Sequence, residues 1–166
     1  MTSRAKRQPR AVPQQAPSKQ SLRLWLRLLR TTRTIEADLR ERLRLAFNTT
    51  LPRFDVMAAL DRHAPGAGMS MTALSRHLLV SNGNATVIVD RLVDDGLVVR
   101  TTPEADRRST LVRLTPSGLA QFRIMADTHE AWVAEIFAGV APGEAHSLMH
   151  LLDRVAQSSE SSGDVP

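Results

Sequence analysis

Between Met71 and Thr115 the spacing of apolar positions changes from helical to strand-like. A short helix over about Thr72–Leu79 would bury Leu74 and Leu78. The turn at Leu79-Val80 leads to Ser81, a residue suited to cap the next helix. In that helix Ala85, Ile88, Val89 and Leu92 share one face, and Asn82, Thr86, Val87 and Asp90 share the other. Gly96 is its natural C-terminal stop. Leu97–Arg100 and Thr110–Leu114 then read as two short strands around a charged loop, Thr101 to Ser109. The order helix, turn, helix, strand, loop, strand predicts a winged helix-turn-helix.

Longer amphipathic segments flank this module. Ser21 can open a helix running to about Phe47, with Leu22, Trp25, Leu26, Leu29, Thr32, Ile35, Leu39, Leu43 and Ala46 on three- and four-residue steps. Arginines fill most of its other positions. Pro52 starts a second helix that carries Phe54, Met57 and Ala58 and ends before Pro65. Thr115-Pro116 opens a long helix with Leu119, Phe122, Ile124 or Met125, His129, Trp132, Val133, Ile136 and Phe137, broken by Gly139. Pro142-Gly143-Glu144 starts a last helix with Ala145, Leu148, Leu151, Leu152 and Val155 on its apolar side. The expected fold is therefore mainly α with a small β-hairpin. The DNA-binding module covers about 53–115, and helices at about 21–47 and 116–157 remain as a helical dimerisation region. These helices exceed what the module alone needs, and a homodimer is the economical use of the surplus. An intramolecular bundle is the alternative.

Composition narrows the chemistry. The chain has 166 residues, no Cys or Tyr, four Phe and two Trp, so its core must be aliphatic. Disulfides, thiolate metal sites, thiol nucleophiles and thiol-based oxidant sensing are excluded. No apolar run approaches the ~20 residues that span a bilayer, and the N-terminus lacks an apolar signal core. A cytoplasmic protein without membrane contact is expected. Residues 1–20 hold five of the basic residues, no acid, and prolines at 9, 13 and 17, which reads as a disordered basic tail. Residues 158–166 read as a second disordered tail. The remaining charge is polarised: net +4 over residues 21–46 and net −5 over 119–166. That distribution leaves the expected DNA-facing parts neutral to basic and the C-terminal part acidic, although solvated helix faces explain the acidic end equally well.

Small polar side chains at a helix N-terminus, beside a hairpin tipped with arginines, suit two neighbouring grooves of duplex DNA. Ser81, Asn82, Asn84 and Thr86 are candidate base or phosphate contacts, with local capping as the competing role of Ser81 and Asn84. Arg76 and Arg91 are phosphate candidates; Arg91 could equally be structural. His146 and His150 have ligand spacing but no evident third ligand, so no metal and no cofactor is expected. Asp55 with Asp61, or His63 with Ser70, carries no catalytic signature, and no phosphate-binding Gly-rich loop of the usual spacing is present. An enzyme is not expected.

Ser81 to Gly96 followed by Leu97-Val98, then Pro103-Glu104-Ala105-Asp106-Arg107-Arg108, then Leu114-Thr115-Pro116-Ser117-Gly118, resembles the MarR family of bacterial transcription regulators over about residues 21–157. The resemblance implies a symmetric dimer of triangular outline on a pseudo-palindromic operator in double-stranded DNA. It implies that Asp106 braces the wing and that Arg108, or Arg107, enters the minor groove. Family members often carry Arg or Lys one position after the recognition-helix Thr. Here that position is Val87, which could touch a thymine methyl or face the scaffold.

The resemblance further implies a small-molecule effector pocket, here near Trp25, Arg27, Arg30, Arg53, Phe54 and Met57. Arginine beside aromatic and thioether groups suits an aromatic carboxylate. The alternative is that Trp25, Phe54 and Met57 are core and the arginines a solvated face. The function expected is a homodimeric, ligand-responsive regulator, most often a repressor. The competing reading is a winged-helix protein-interaction module without sequence-specific DNA binding.

Overall fold

A computed structural model describes residues 19–102 and 110–162. The described chain runs α1 (Lys19–Phe47), α2 (Leu51–His63), β1 (Met69–Ser70), α3 (Met71–His77), α4 (Asn82–Asp94), β2 (Val98–Thr101), β3 (Leu111–Leu114), α5 (Pro116–Ile136) and α6 (Pro142–Ser162). The contacts of the described residues fall into two units that divide between Glu36 and Ala37. Within the first, Leu22, Leu24, Trp25 and Leu26 are all exposed.

The second unit holds the core. Leu43 of α1, Val56, Met57 and Leu60 of α2, Leu74 of α3, Val89 and Leu92 of α4, Val98 and Val112 of the sheet and Met125 of α5 are essentially inaccessible. Most of these side chains are aliphatic, as the shortage of aromatic residues requires. Phe54 of α2 packs on Phe122 of α5 with ring centroids 5.6 Å apart, and Phe47 meets Trp132 at 6.1 Å. The ambiguous α5 stripe resolves in favour of Met125: Ile124 is exposed.

Among the described residues the sheet has three strands, not the two expected. Its order is β1-β3-β2, antiparallel throughout, with Val98 opposite Leu114 and Thr101 opposite Leu111. The added strand is only Met69-Ser70, paired with Val112 and Leu111. Two residues carry no alternation that sequence could report; pairing with the free edge of β3 is what makes them a strand. The last helix also runs on to Ser162, past the expected fraying point at Ser158. The Ser158 hydroxyl donates to the Arg154 carbonyl at 2.8 Å, and the next glycine is Gly163. At the other end α1 opens at Lys19, just ahead of Ser21.

Two junctions fix α4 and the sheet against α5. Gly96 ends α4 with φ +70°, a conformation that costs glycine little and other residues more. Thr115 then caps α5: its hydroxyl accepts from the Gly118 N–H at 2.9 Å and donates to the Gly96 carbonyl at 2.8 Å. The Thr115 N–H donates to the Leu97 carbonyl at 3.0 Å. A Cβ on Gly118 would lie 1.9 Å from that same carbonyl oxygen, so no larger residue fits without moving backbone. This contact accounts for the glycine in the Leu-Thr-x-x-Gly segment.

His129 of α5 stacks on Phe54 with centroids 4.5 Å apart. Burial there pushes its imidazole pKa below the usual histidine value. The folded state therefore keeps the ring neutral, whereas the unfolded chain takes up a proton near pH ~6.5. Stability from this site is complete above that pH and is lost as the pH falls from there through the folded-state value.

Gly118→Ala should destabilise the protein by ~1–3 kcal/mol through this clash, read as a lower melting temperature. Gly139→Ala, in open space, should leave it almost unchanged; equal effects would remove the packing argument. Between pH 7.5 and 5.0 the wild type should lose more melting temperature than His129→Leu. Parallel losses would show that the buried ring carries no proton linkage.

Candidate nucleic-acid interface

The helix pair α3 and α4 is set by capping at both starts. Ser70 accepts from the Ala73 N–H at 3.2 Å, and Ser81 accepts from the Asn84 N–H at 3.2 Å. Between the helices, Leu79 adopts φ +54° with its side chain almost wholly exposed. The Val80 N–H donates to the Ser75 carbonyl at 3.1 Å and closes the turn.

The N-terminal turn of α4 divides its polar residues between structure and surface. Asn82 is exposed, but its side-chain amide meets the buried hydroxyl of Ser75 on α3. It therefore ties the two helices together as well as facing outward. The Ser75 hydroxyl also lies 3.1 Å from the Thr72 carbonyl. The Thr86 hydroxyl donates to the Asn82 carbonyl at 2.8 Å, leaving its lone pairs and methyl exposed. Ser81 is used as the cap. Asn84 and Val87 are exposed, and Val87 lies on the outer surface of α4, not against the scaffold. Ala85, Val89 and Leu92 hold the inner face.

Two ion pairs anchor α4 from its sides. Arg100 of β2 reaches Asp90 at 2.5 Å, and Arg53 of α2 reaches Asp95. Sequence reading placed Asp90 on the outer face but missed its strand partner, because the pairing crosses from helix to sheet. Arg76 and Arg91 are both exposed. Asp106, Arg107 and Arg108 lie outside the described residues, as does nearly all of the expected basic tail.

The residues expected around an effector have varied surroundings. Trp25, Arg27 and Arg30 belong to the first unit, where Arg27 and Arg30 line a groove of about 580 Å³ with Gln20, Arg23, Leu24 and Leu26. In the second unit Phe54 and Met57 are buried core residues, and Arg53 is mostly buried beside Asp95. For Phe54 and Met57 the packing role is the one observed.

The His63 and Ser70 side chains, which sequence made a conceivable catalytic pairing, have other partners in the fold. Ser70 caps α3, and the His63 ring packs on His77 with centroids 4.0 Å apart. Among the described residues no group of three or more His, Asp or Glu is placed to hold a metal ion. Nor is any described helix long and apolar enough to cross a membrane.

The sequence profile of the MarR family matches residues 47–109, the stretch from the end of α1 to the segment before β3. A MarR family transcriptional regulator from Silicibacter pomeroyi, known from its crystal structure, is 32% identical with a TM-score of 0.72; the match covers 85% of this chain and 96% of that one. The transcriptional activatory protein BadR of Rhodopseudomonas palustris is 30% identical over 75% of this chain and 66% of its own length. The HTH-type transcriptional repressor IacR of Pseudomonas putida is 28% identical over 72% of this chain and 70% of its own. With a helix pair followed by a short antiparallel sheet in the fold and these likenesses in sequence and structure, the chain belongs to the MarR family of DNA-binding transcriptional regulators, which are not enzymes.

Proposed function

We propose that this chain acts as a homodimer that reads a pseudo-palindromic operator and releases it on binding a small molecule. The observation that carries the dimer is the apolar surface left bare on the helices outside the winged module. Leu148, Met149, Leu151, Leu152 and Val155 of α6 are exposed, as are Phe137 just beyond α5 and Leu22, Trp25 and Leu26 of α1. A helix with this many exposed apolar side chains in water is the signature of an unfilled interface. A second copy supplies the matching surface, by symmetry.

In this reading each subunit sets α4 in the major groove. Thr86, Asn84 and Val87 face the bases, Asn82 shares its contact with Ser75, and Arg76 and Arg91 face phosphates. Arg108, or Arg107 beside it, enters the adjacent minor groove, where negative potential is enhanced when the groove is narrow. Val87 offers only apolar contact, so it favours a thymine methyl at its position. Two-fold symmetry places half-sites about one helical turn, ~10 bp, apart.

The effector we propose is an amphiphilic anion of the aromatic-acid type, drawn to Arg27 and Arg30 in the groove on α1. It acts through its different affinity for two arrangements of the reading heads. Occupancy of a promoter makes repression the default outcome, as the name of the Pseudomonas relative states for that protein. BadR bears the opposite sign in its name, so the position of the operator decides the direction.

At physiological salt the protein should bind its own promoter fragment far more tightly than random duplex and should sediment as a dimer. Equal affinity for both would favour the interaction-module reading. Leu148→Asp should yield monomers, and a variant that remains dimeric would remove α6 from the interface. Arg108→Ala should leave the dimer folded and weaken operator binding by ~1–3 kcal/mol; unchanged affinity in a salt-controlled gel shift would exclude that side chain from the groove.

A further inference from the structure

A cleft of about 420 Å³ opens where the end of α1, the start of α2 and the flank of α4 meet, lined by Arg40, Arg44, Thr49, Thr50, Pro52, Arg53, Ile88 and Arg91. Four guanidinium groups line it and no carboxylate does. Two of the four have partners at the rim. Arg44 makes a two-point contact with Glu41 at 2.6 and 2.8 Å, and Arg53 pairs with Asp95. Arg40 and Arg91 have no ion-pair partner among the described residues. The cleft therefore holds two uncompensated positive charges in a concave site.

One buried donor there is left unserved, and one exposed hydroxyl is free of the capping role its position allows. The Nε of Arg53 is buried and makes no hydrogen bond among the described residues. A buried donor without a partner is costly in the absence of something to receive it. The Thr50 side chain makes no capping bond to α2, unlike Ser70, Ser81 and Thr115 at the starts of their helices. A hydroxyl and several guanidinium donors around one cavity suit an oxyanion with several acceptor oxygens. Pro52 and Ile88 supply the apolar part of the wall.

We propose that this arginine cleft binds a phosphate-class oxyanion. Its position names two sources. Ile88 and Arg91 belong to the same helix as Asn84 and Val87, so a duplex lying on α4 can bring a backbone phosphate to the cleft mouth. A free phosphorylated molecule supplies the same chemistry. The DNA source rests on the reading of α4 proposed above; the free-anion source does not.

The test uses the full chain and three variants, Arg40→Gln, Arg91→Gln and the double substitution, with Arg40→Lys as a control that keeps the charge. Arg40 and Arg91 are both exposed, so the folds should survive, checked by circular dichroism. Inorganic pyrophosphate is titrated at constant ionic strength, and melting temperature is read. Duplex affinity is measured against salt concentration in parallel.

For a DNA phosphate, the slope of log K against log salt should shrink by about 0.9 for each arginine removed, on promoter and random duplex alike, with Arg40→Lys close to wild type. For a free anion, pyrophosphate should raise the wild-type melting temperature by a few degrees, and the double variant should lose that rise. Protection lost with slopes unchanged assigns the cleft to a free anion. Protection lost in a protein that binds no duplex at all keeps the cleft and overturns the DNA reading instead. Unaltered slopes together with no arginine-dependent protection overturn the proposal.

Discussion

The carbonyl of Leu97 keys the reading module to the long helix behind it. It receives the Thr115 N–H, and it sits where any side chain on Gly118 would have to be. Thr115 simultaneously caps α5 and holds the carbonyl of Gly96, the residue that ends α4. One threonine and one glycine thus connect three things: the end of α4, the start of β2 and the start of α5. A displacement of α5 is transmitted to α4 through hard-sphere contact, which gives very little.

Electrostatic contacts refine what packing sets. Arg100 with Asp90 joins strand to helix, Arg53 with Asp95 joins α2 to the end of α4, and Arg42 bridges Asp38 of α1 and Glu135 of α5. Most of these groups are partly exposed, where such pairs contribute little stability. Their value is in orientation: α4 is held from two sides while its outer surface stays free of bulk. The buried hydroxyl of Ser75 against Asn82 adds a short-range tie inside the helix pair. Asn82 is thus part of the scaffold as well as of the exposed surface of α4.

The same division separates the arginines. Arg53 looks in sequence like any solvated charge on a helix start. In the fold it is largely enclosed, paired through one end and unsatisfied at Nε. Arg40, Arg44 and Arg91 are spread over fifty residues of chain, and only the meeting of α1, α2 and α4 brings them to one cleft. The bare apolar faces of α1 and α6 follow the opposite logic: the amphipathic stripe is plain in the sequence, and the fold leaves much of it uncovered.

Local chemistry wrote much of this protein into its sequence. Ser81, Thr115 and Pro116 mark helix starts, Gly96 a stop, and Ala85, Val89 and Leu92 a buried face. Each signal lies within a few residues of the event it governs, so spacing alone carries it. The two-residue strand β1, the choice of Met125 over Ile124, the burial of Phe54 and Met57, and the Asp90–Arg100 pair were decided elsewhere. They depend on groups distant in the chain, and only the packed core determines which side chains meet.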